Sequence, residues 1–144
     1  MPEPLPAAFR ITVPTNLVFV RPVRKMLEAV LSSQGWGEED VDDAALVITE
    51  IVQNAIEHGS KCDGSEWVEV GCTVNGAAVE LEVVDPGSGK DPREAIERDV
   101  KKPVPLDATR GRGLFLIDRL CGEFDRTIAQ AGGLRVWVRR ECDS

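Results

Sequence analysis

The sequence predicts an α/β sandwich of two layers: a mixed, mostly antiparallel sheet with helices packed on one face. Three observations carry that prediction. Segments of alternating apolar and polar residues lie near the start, in the middle and at the end of the chain. Two segments with helical apolar spacing stand together after the first of them. The resulting order is β-α-α-β-β-loop-α-β-β. The chain has 144 residues, of which 42% are apolar and 29% charged. That suits one domain, 9–144, preceded by a loose arm over 1–8 that carries three prolines. A core in a chain of this size needs neither disulfide nor metal.

Phe9 to Val13 alternates and Pro14 ends it, which predicts a short strand. From about Asn16 to Gln34 apolar residues recur at Val20, Val23, Leu27, Val30 and Leu31, a helical stripe with Pro22 in the first turn. Gly35-Trp36-Gly37 ends that helix. Glu38-Glu39-Asp40 opens a second one, acidic where the helix dipole favours negative charge. Its stripe runs through Val41, Ala45, Ile48, Val52 and Ala55 to about His58, and Gly59 stops it. Glu66 to Val74 and Ala77 to Val84 read as strands joined at Asn75-Gly76. Residues 85–110 read as a long loop with one short helix around Arg93 to Asp99. Gly113 to Leu120 is a short apolar helix. Glu123 to Ile128, a Gly132-Gly133 turn and Leu134 to Arg139 form a closing hairpin.

Charge excludes some functions. Lys plus Arg is 17 and Asp plus Glu is 25, for a net charge of −8. Direct binding to nucleic acid or to an anionic membrane is therefore not expected. No apolar run approaches the roughly 20 residues of a membrane span. The first residues, Met1-Pro2-Glu3-Pro4, lack the features of a signal peptide, so a cytoplasmic location is expected. The cysteines at 62, 72, 121 and 142 form no C-x-x-C pair, and His58 is the one histidine. Reduced, incidental thiols are expected rather than a zinc site.

Three constellations can carry chemistry. Glu50 and Asn54 are one helical turn apart, so they share a face about 40° apart. An amide oxygen beside a carboxylate suits Mg²⁺, a hard cation that takes oxygen ligands, and leaves Glu50 to accept a proton. Asp85-Pro86-Gly87-Ser88-Gly89 follows an apolar strand. It offers a carboxylate acceptor for an exocyclic amine, and two glycines that let a ligand approach the backbone. Thr109-Arg110-Gly111-Arg112-Gly113-Leu114 opens a helix, and free N–H groups there with an adjacent arginine suit phosphate. Taken singly, each has an ordinary explanation: a solvated helix face, an Asp-Pro-Gly turn, a glycine-rich helix start. Neither G-x-x-x-x-G-K-[ST] nor G-x-G-x-x-G after a strand is present. No serine stands in a G-x-S-x-G elbow that would make His58 a hydrolase base.

In this order and spacing the three resemble the boxes of the GHKL ATPase superfamily and its Bergerat fold. Glu50 to His58 is similar to the N box, Asp85 to Gly89 to the G1 box, and Gly111 to Ile117 to the G2 box. E-x-x-x-N-A-x-x-H and R-G-R-G-L-F-L-I-D-R-L most resemble the bacterial anti-sigma factor serine/threonine kinases, over about residues 9–140. The resemblance implies that Glu50 is the general base and that Asn54 holds Mg²⁺ on ATP. Asp85 would take the adenine amine, and Gly87 and Gly89 would shape the nucleotide wall. His58, Arg110, Gly111, Arg112, Gly113 and Leu114 would lie along the nucleotide, under a lid spanning about 90–110. It further implies a homodimer whose partners are a sigma factor and a STAS-domain antagonist, the antagonist receiving phosphate on a serine. The alternative is a catalytically silent partner-binding module of the same fold. One departure stands out: Leu134 follows Gly133 where such kinases usually carry threonine, and water or Thr127 would substitute for the missing hydroxyl.

Overall fold

The computed structural model describes residues 6–97 and 112–142. Strand β1 (Ala7–Pro14) opens the described chain, two residues earlier than its alternation suggests, because Ala7 and Ala8 pair with Val74 and Thr73. Asn16 then accepts the Val18 N–H on its side chain at 3.0 Å and starts a single 3₁₀ turn, Leu17–Phe19. Helix α1 (Val20–Ser33) follows, so Pro22 falls in its first turn, where no N–H is needed. Val23, Leu27 and Leu31 are its buried stripe. It ends in a Schellman arrangement: Gly35 at φ +84° donates to the Ser32 carbonyl, and the Trp36 N–H to that of Leu31.

Helix α2 (Glu38–Glu57) is the spine of the core. Val41, Ala45, Ile48, Val52 and Ala55 are all buried, joined by Ala44, Val47, Ile51 and Ile56. Strands β2 (Trp67–Asn75) and β3 (Ala78–Val84) form the hairpin expected at Asn75-Gly76, with Gly76 at φ +62°. Helix α3 (Pro92–Glu97) occupies the start of the long loop, and residues 98–111 lie outside the described residues. Helix α4 (Arg112–Leu120) leads into β4 (Glu123–Ile128) and β5 (Leu134–Glu141).

The five strands lie in the order β1-β2-β3-β5-β4. Each of the four pairings is antiparallel. The parallel element of a mixed sheet is not found among the described residues. The chain reaches the far edge as β4 and reverses once more before β5 inserts beside β3. Alternation then sorts the side chains. Val68, Val70, Cys72, Val74, Val79, Leu81, Val83 and Val138 face α1, α2 and α4 as one core with Ile117 of α4. The other face carries polar residues, with Glu82 ion-paired to Arg10 and Arg135, both at 2.7 Å. Burial pushes the Cys72 thiol up to about 12, as expected of a structural thiol. Among the described residues no helix is long and apolar enough to cross a membrane.

Among the described residues Arg140 of β5 is the one buried arginine, at 8% exposure, and it lies on the apolar side of the sheet. It donates to Asp40 and Asp43 of α2, both at 2.9 Å, and to the Leu120 carbonyl at the end of α4, at 2.6 Å. One guanidinium thus ties α2, α4 and β5 together, which explains why Asp40 is buried on an otherwise apolar stripe.

Candidate functional site

The final turns of α2 present a polar face. Glu50, Gln53, Asn54 and Glu57 are all half-buried, and Gln53 donates to Glu57 at 3.1 Å. Burial raises the Glu50 pKa, and the Glu57 charge raises it further. A carboxylate so placed holds a proton more readily than one in water, which suits a proton acceptor. The Asn54 side chain makes no hydrogen bond among the described residues, so its amide oxygen is available to a cation.

Asp85 follows β3 directly and is only 8% exposed. Its N–H donates to the Leu134 carbonyl at 3.0 Å, extending the β3–β5 ladder by one bond. Its Oδ1 accepts two backbone N–H groups, from Gly87 at 2.9 Å and from Leu134 at 3.0 Å. Oδ2 makes no hydrogen bond among the described residues and lies against Gly59, where an added Cβ would collide with it. One carboxylate oxygen is therefore fixed by two main-chain N–H groups and the other by none. Burial pushes the Asp85 pKa up to about 6, against the lowering effect of the two N–H donors.

The loop after β3 is stitched to the end of α2. The Gly87 N–H donates to the Gly59 carbonyl at 3.1 Å, and the Lys90 N–H to that of His58 at 2.7 Å. Gly89 packs so closely on the His58 carbonyl that any Cβ would overlap it. The structure therefore brings Glu50, Asn54, His58, Asp85, Gly87 and Gly89 into one region. His58 stands beside Glu57, with Nε2 3.9 Å from its carboxylate. Arg112, Gly113 and Leu114 form the first residues of α4, which Ile117 fastens to the core. Arg110 and Gly111 lie outside the described residues, as does most of the expected lid.

Two glycines that read in the sequence only as punctuation are parts of this site. Gly59 makes room for Oδ2, and a Cβ at Gly133 would strike both the Asp85 carbonyl and its carboxylate. Only Gly132 of the Gly132-Gly133 pair takes a positive φ, +99°, so the turn conformation does not require glycine at 133 and the close approach of Asp85 does. Thr127 pairs in register with Arg135, on the sheet face away from α2, so it is not the substitute for the hydroxyl absent at 134. The Leu134 main chain contributes an N–H there instead.

Comparison with known proteins assigns the chain to a family. Residues 13–140 match the family described as histidine kinase-like ATPase domain, and the chain belongs to that family. The serine-protein kinase RsbW of Oceanobacillus iheyensis is 26% identical over 113 residues, covering 75% of this chain and 71% of the relative. RsbW of Bacillus thuringiensis is 29% identical over 113 residues, covering 75% and 69%. Among solved structures, the RsbU and RsbW domains of Rv1364c from Mycobacterium tuberculosis align with a TM-score of 0.69 at 25% identity. That alignment covers 98% of this chain and only 33% of the other. The SiaB–SiaC complex from Pseudomonas aeruginosa aligns with a TM-score of 0.68 over 92% of this chain and 87% of that one, at 15% identity, which is likeness of fold.

Proposed function

We propose that this member of the histidine kinase-like ATPase family is an ATP-dependent serine-protein kinase and anti-sigma factor. It sequesters a sigma factor and phosphorylates a serine of a STAS-type antagonist, so that the two partners switch places. The observation that carries the reading is the Asp85 carboxylate, held by one oxygen and stitched to the helix that bears Glu50 and Asn54. The similarity to proteins named serine-protein kinase supports it.

The residues fit magnesium-ATP. Asp85 Oδ2 accepts the adenine amine, while Gly59, Gly87 and Gly133 let the end of α2, the Asp85 loop and the β4–β5 turn close around that carboxylate. Asn54 supplies an amide oxygen to the cation. Arg110 to Leu114 bring N–H groups and cationic side chains to the phosphates. When bound, the nucleotide supplies the electrophilic γ-phosphorus, and the cation offsets charge developing around it. Glu50 accepts the serine hydroxyl proton as its oxygen bonds to that phosphorus and ADP departs.

The basic residues of α1 fit an acidic partner surface. Arg21 and Lys25 are exposed on the same face as Val18, itself 66% exposed. Arg24 and Lys25 are held by Glu28 at 3.5 and 3.4 Å, which leaves Arg21 as the least committed cation of the three. Charge reversal at Arg21 should weaken partner binding while ATP affinity holds. A second copy completes the assembly as a homodimer, to be checked by sedimentation equilibrium. Leu134 in place of a hydroxyl residue favours the second reading, a silent partner-binding module.

Calorimetric titration with ATP, with and without Mg²⁺, tests the site. Saturable binding that depends on magnesium and weakens at least tenfold in Asn54→Ala is the expected result. Absence of binding at millimolar ATP would overturn it. Glu50→Gln then separates the two readings: a kinase keeps ATP and loses transfer by about 10²-fold or more, whereas a silent module is unaffected.

A further inference from the structure

The loop that carries Asp85 has an anchor outside the three motifs. Ser88, between Gly87 and Gly89, donates its hydroxyl to Glu66 Oε1 at 2.6 Å. The same oxygen accepts the Lys61 N–H at 3.3 Å. Glu66 precedes β2, and its main chain is held by Thr15, a fully buried residue just after β1. The Thr15 N–H donates to the Glu66 carbonyl at 3.0 Å, and the Glu66 N–H to Thr15 Oγ1 at 3.3 Å. A carboxylate on a rigid support is thus pressed against the loop that carries Asp85.

We propose that Glu66 is a positioning residue of this site, pinning the Asp85–Gly89 loop through Ser88 and setting the electrostatic potential at the carboxylate that meets the adenine. The inference rests on the nucleotide reading given above. A negative group beside the loop opposes the ionisation of the carboxylate that the loop carries. After burial, the Glu66 charge is the other influence that raises the Asp85 pKa. The other ionisable side chains on the surrounding segments include Glu57 and His58 at the end of α2, Lys61, Cys62 and Asp63 before Glu66, Lys90 at the end of the loop, and Arg135 on β5; Asp63 accepts from Ser65. Arg135 is turned to Glu82 on the open face. Among the described residues Lys61, Lys90 and Arg135 form no ion pair with Asp85 or Glu66. Glu66 therefore serves two ends: Ser88 uses its hydrogen-bonding capacity, and Asp85 senses its charge.

Two variants of the full chain separate these ends. Glu66→Gln keeps an acceptor for Ser88 and Lys61 and removes the charge. Ser88→Ala removes the hydrogen bond and keeps the charge. The Asp85 titration is followed by carboxyl carbon NMR without nucleotide, and ATP affinity by calorimetry from about pH 5 to 8. Glu66→Gln should move the Asp85 midpoint down by several tenths of a unit and extend ATP binding to more acidic solution. Ser88→Ala should weaken ATP binding by about threefold or more and speed exchange of the Gly87 amide hydrogen. An Asp85 midpoint unmoved by Glu66→Gln overturns the electrostatic part, and unchanged affinity and exchange in Ser88→Ala overturn the pinning. Wild-type protein that binds no ATP refutes the nucleotide reading instead, and the nucleotide-free titration still decides whether Glu66 acts on Asp85.

Discussion

Leu134 and Asp85 exchange two hydrogen bonds: the Leu134 N–H donates to Asp85 Oδ1, and the Asp85 N–H donates to the Leu134 carbonyl, both at 3.0 Å. The exchange is made entirely by the Leu134 main chain, so it orients the carboxylate whatever side chain stands at 134. A hydroxyl at that position would add a further polar contact to a bound base. Leu134→Thr should therefore tighten ATP binding by about fivefold, the effect of one net hydrogen bond of about 1 kcal/mol. Calorimetry on the two proteins side by side checks this, and unchanged affinity would show that the main-chain N–H already suffices.

Asp85 also links function to stability. Its folded pKa is pushed up to about 6 from 3.8. An acid raised on folding stabilises the fold in its protonated form. That contribution is whole below about pH 3.8 and is lost as pH climbs through about 6. At pH 8 the buried charge is a burden on the order of 3 kcal/mol. Asp85→Asn should raise Tm at pH 8 more than at pH 5, while abolishing ATP binding. Thermal melts at the two pH values read the first effect. Equal shifts at both would mean that the carboxylate is not desolvated as its burial implies. The wild type should bind ATP less tightly as pH falls through about 6, since a protonated Asp85 loses the charge that attracts the amine.

Gly133→Ala should be far more damaging than Gly35→Ala. At Gly133 the new methyl would strike the main chain and carboxylate of Asp85. Main chain cannot swing aside, so a cost on the order of 2 kcal/mol or more is expected, with ATP binding weakened over tenfold. At Gly35 no atom lies within 4 Å of the added carbon, and the positive φ of +84° alone costs about 1 kcal/mol. Denaturant titration of both variants checks the order, and equal losses would mean that the site is looser than its packing shows.

Arg140→Ala should destabilise by about 3–5 kcal/mol, because Asp40 would be left buried without its counter-charge. Removing Asp40 as well should restore part of that loss. A double-mutant cycle from urea midpoints would show this as a coupling of about 1 kcal/mol or more. Simple additivity would place the Arg140 contribution in its bonds to Asp43 and to the Leu120 carbonyl instead.

Much of this molecule was legible in its residue order, because much of it is local. The apolar stripes of α1 and α2 are set by a period of 3.6 and those of the strands by a period of 2, and each is read within a short window. The Asn75-Gly76 hairpin and the closing hairpin at Gly132-Gly133 are likewise turn chemistry. The spacing from Glu50 to Asn54 within one turn of helix, and the glycines after Asp85, marked the candidate site before any coordinates.

What residue order by itself determined was therefore the elements, their sequence and the chemical types gathered near the three motifs. Tertiary structure decided which atoms serve. Leu134 reaches Asp85 across 49 residues of sequence and Arg140 reaches Asp40 across 100, and no local period encodes such a meeting. Gly59 and Gly133 became walls of a site only because α2 and the β4–β5 turn close on the same carboxylate. Thr127 lost its expected part because strand register sent it to the opposite face. The physical reason is the same in each case. Propensity and periodicity act between near neighbours, whereas a carboxylate's proton affinity and the space beside it depend on whatever the folded chain brings within a few ångströms.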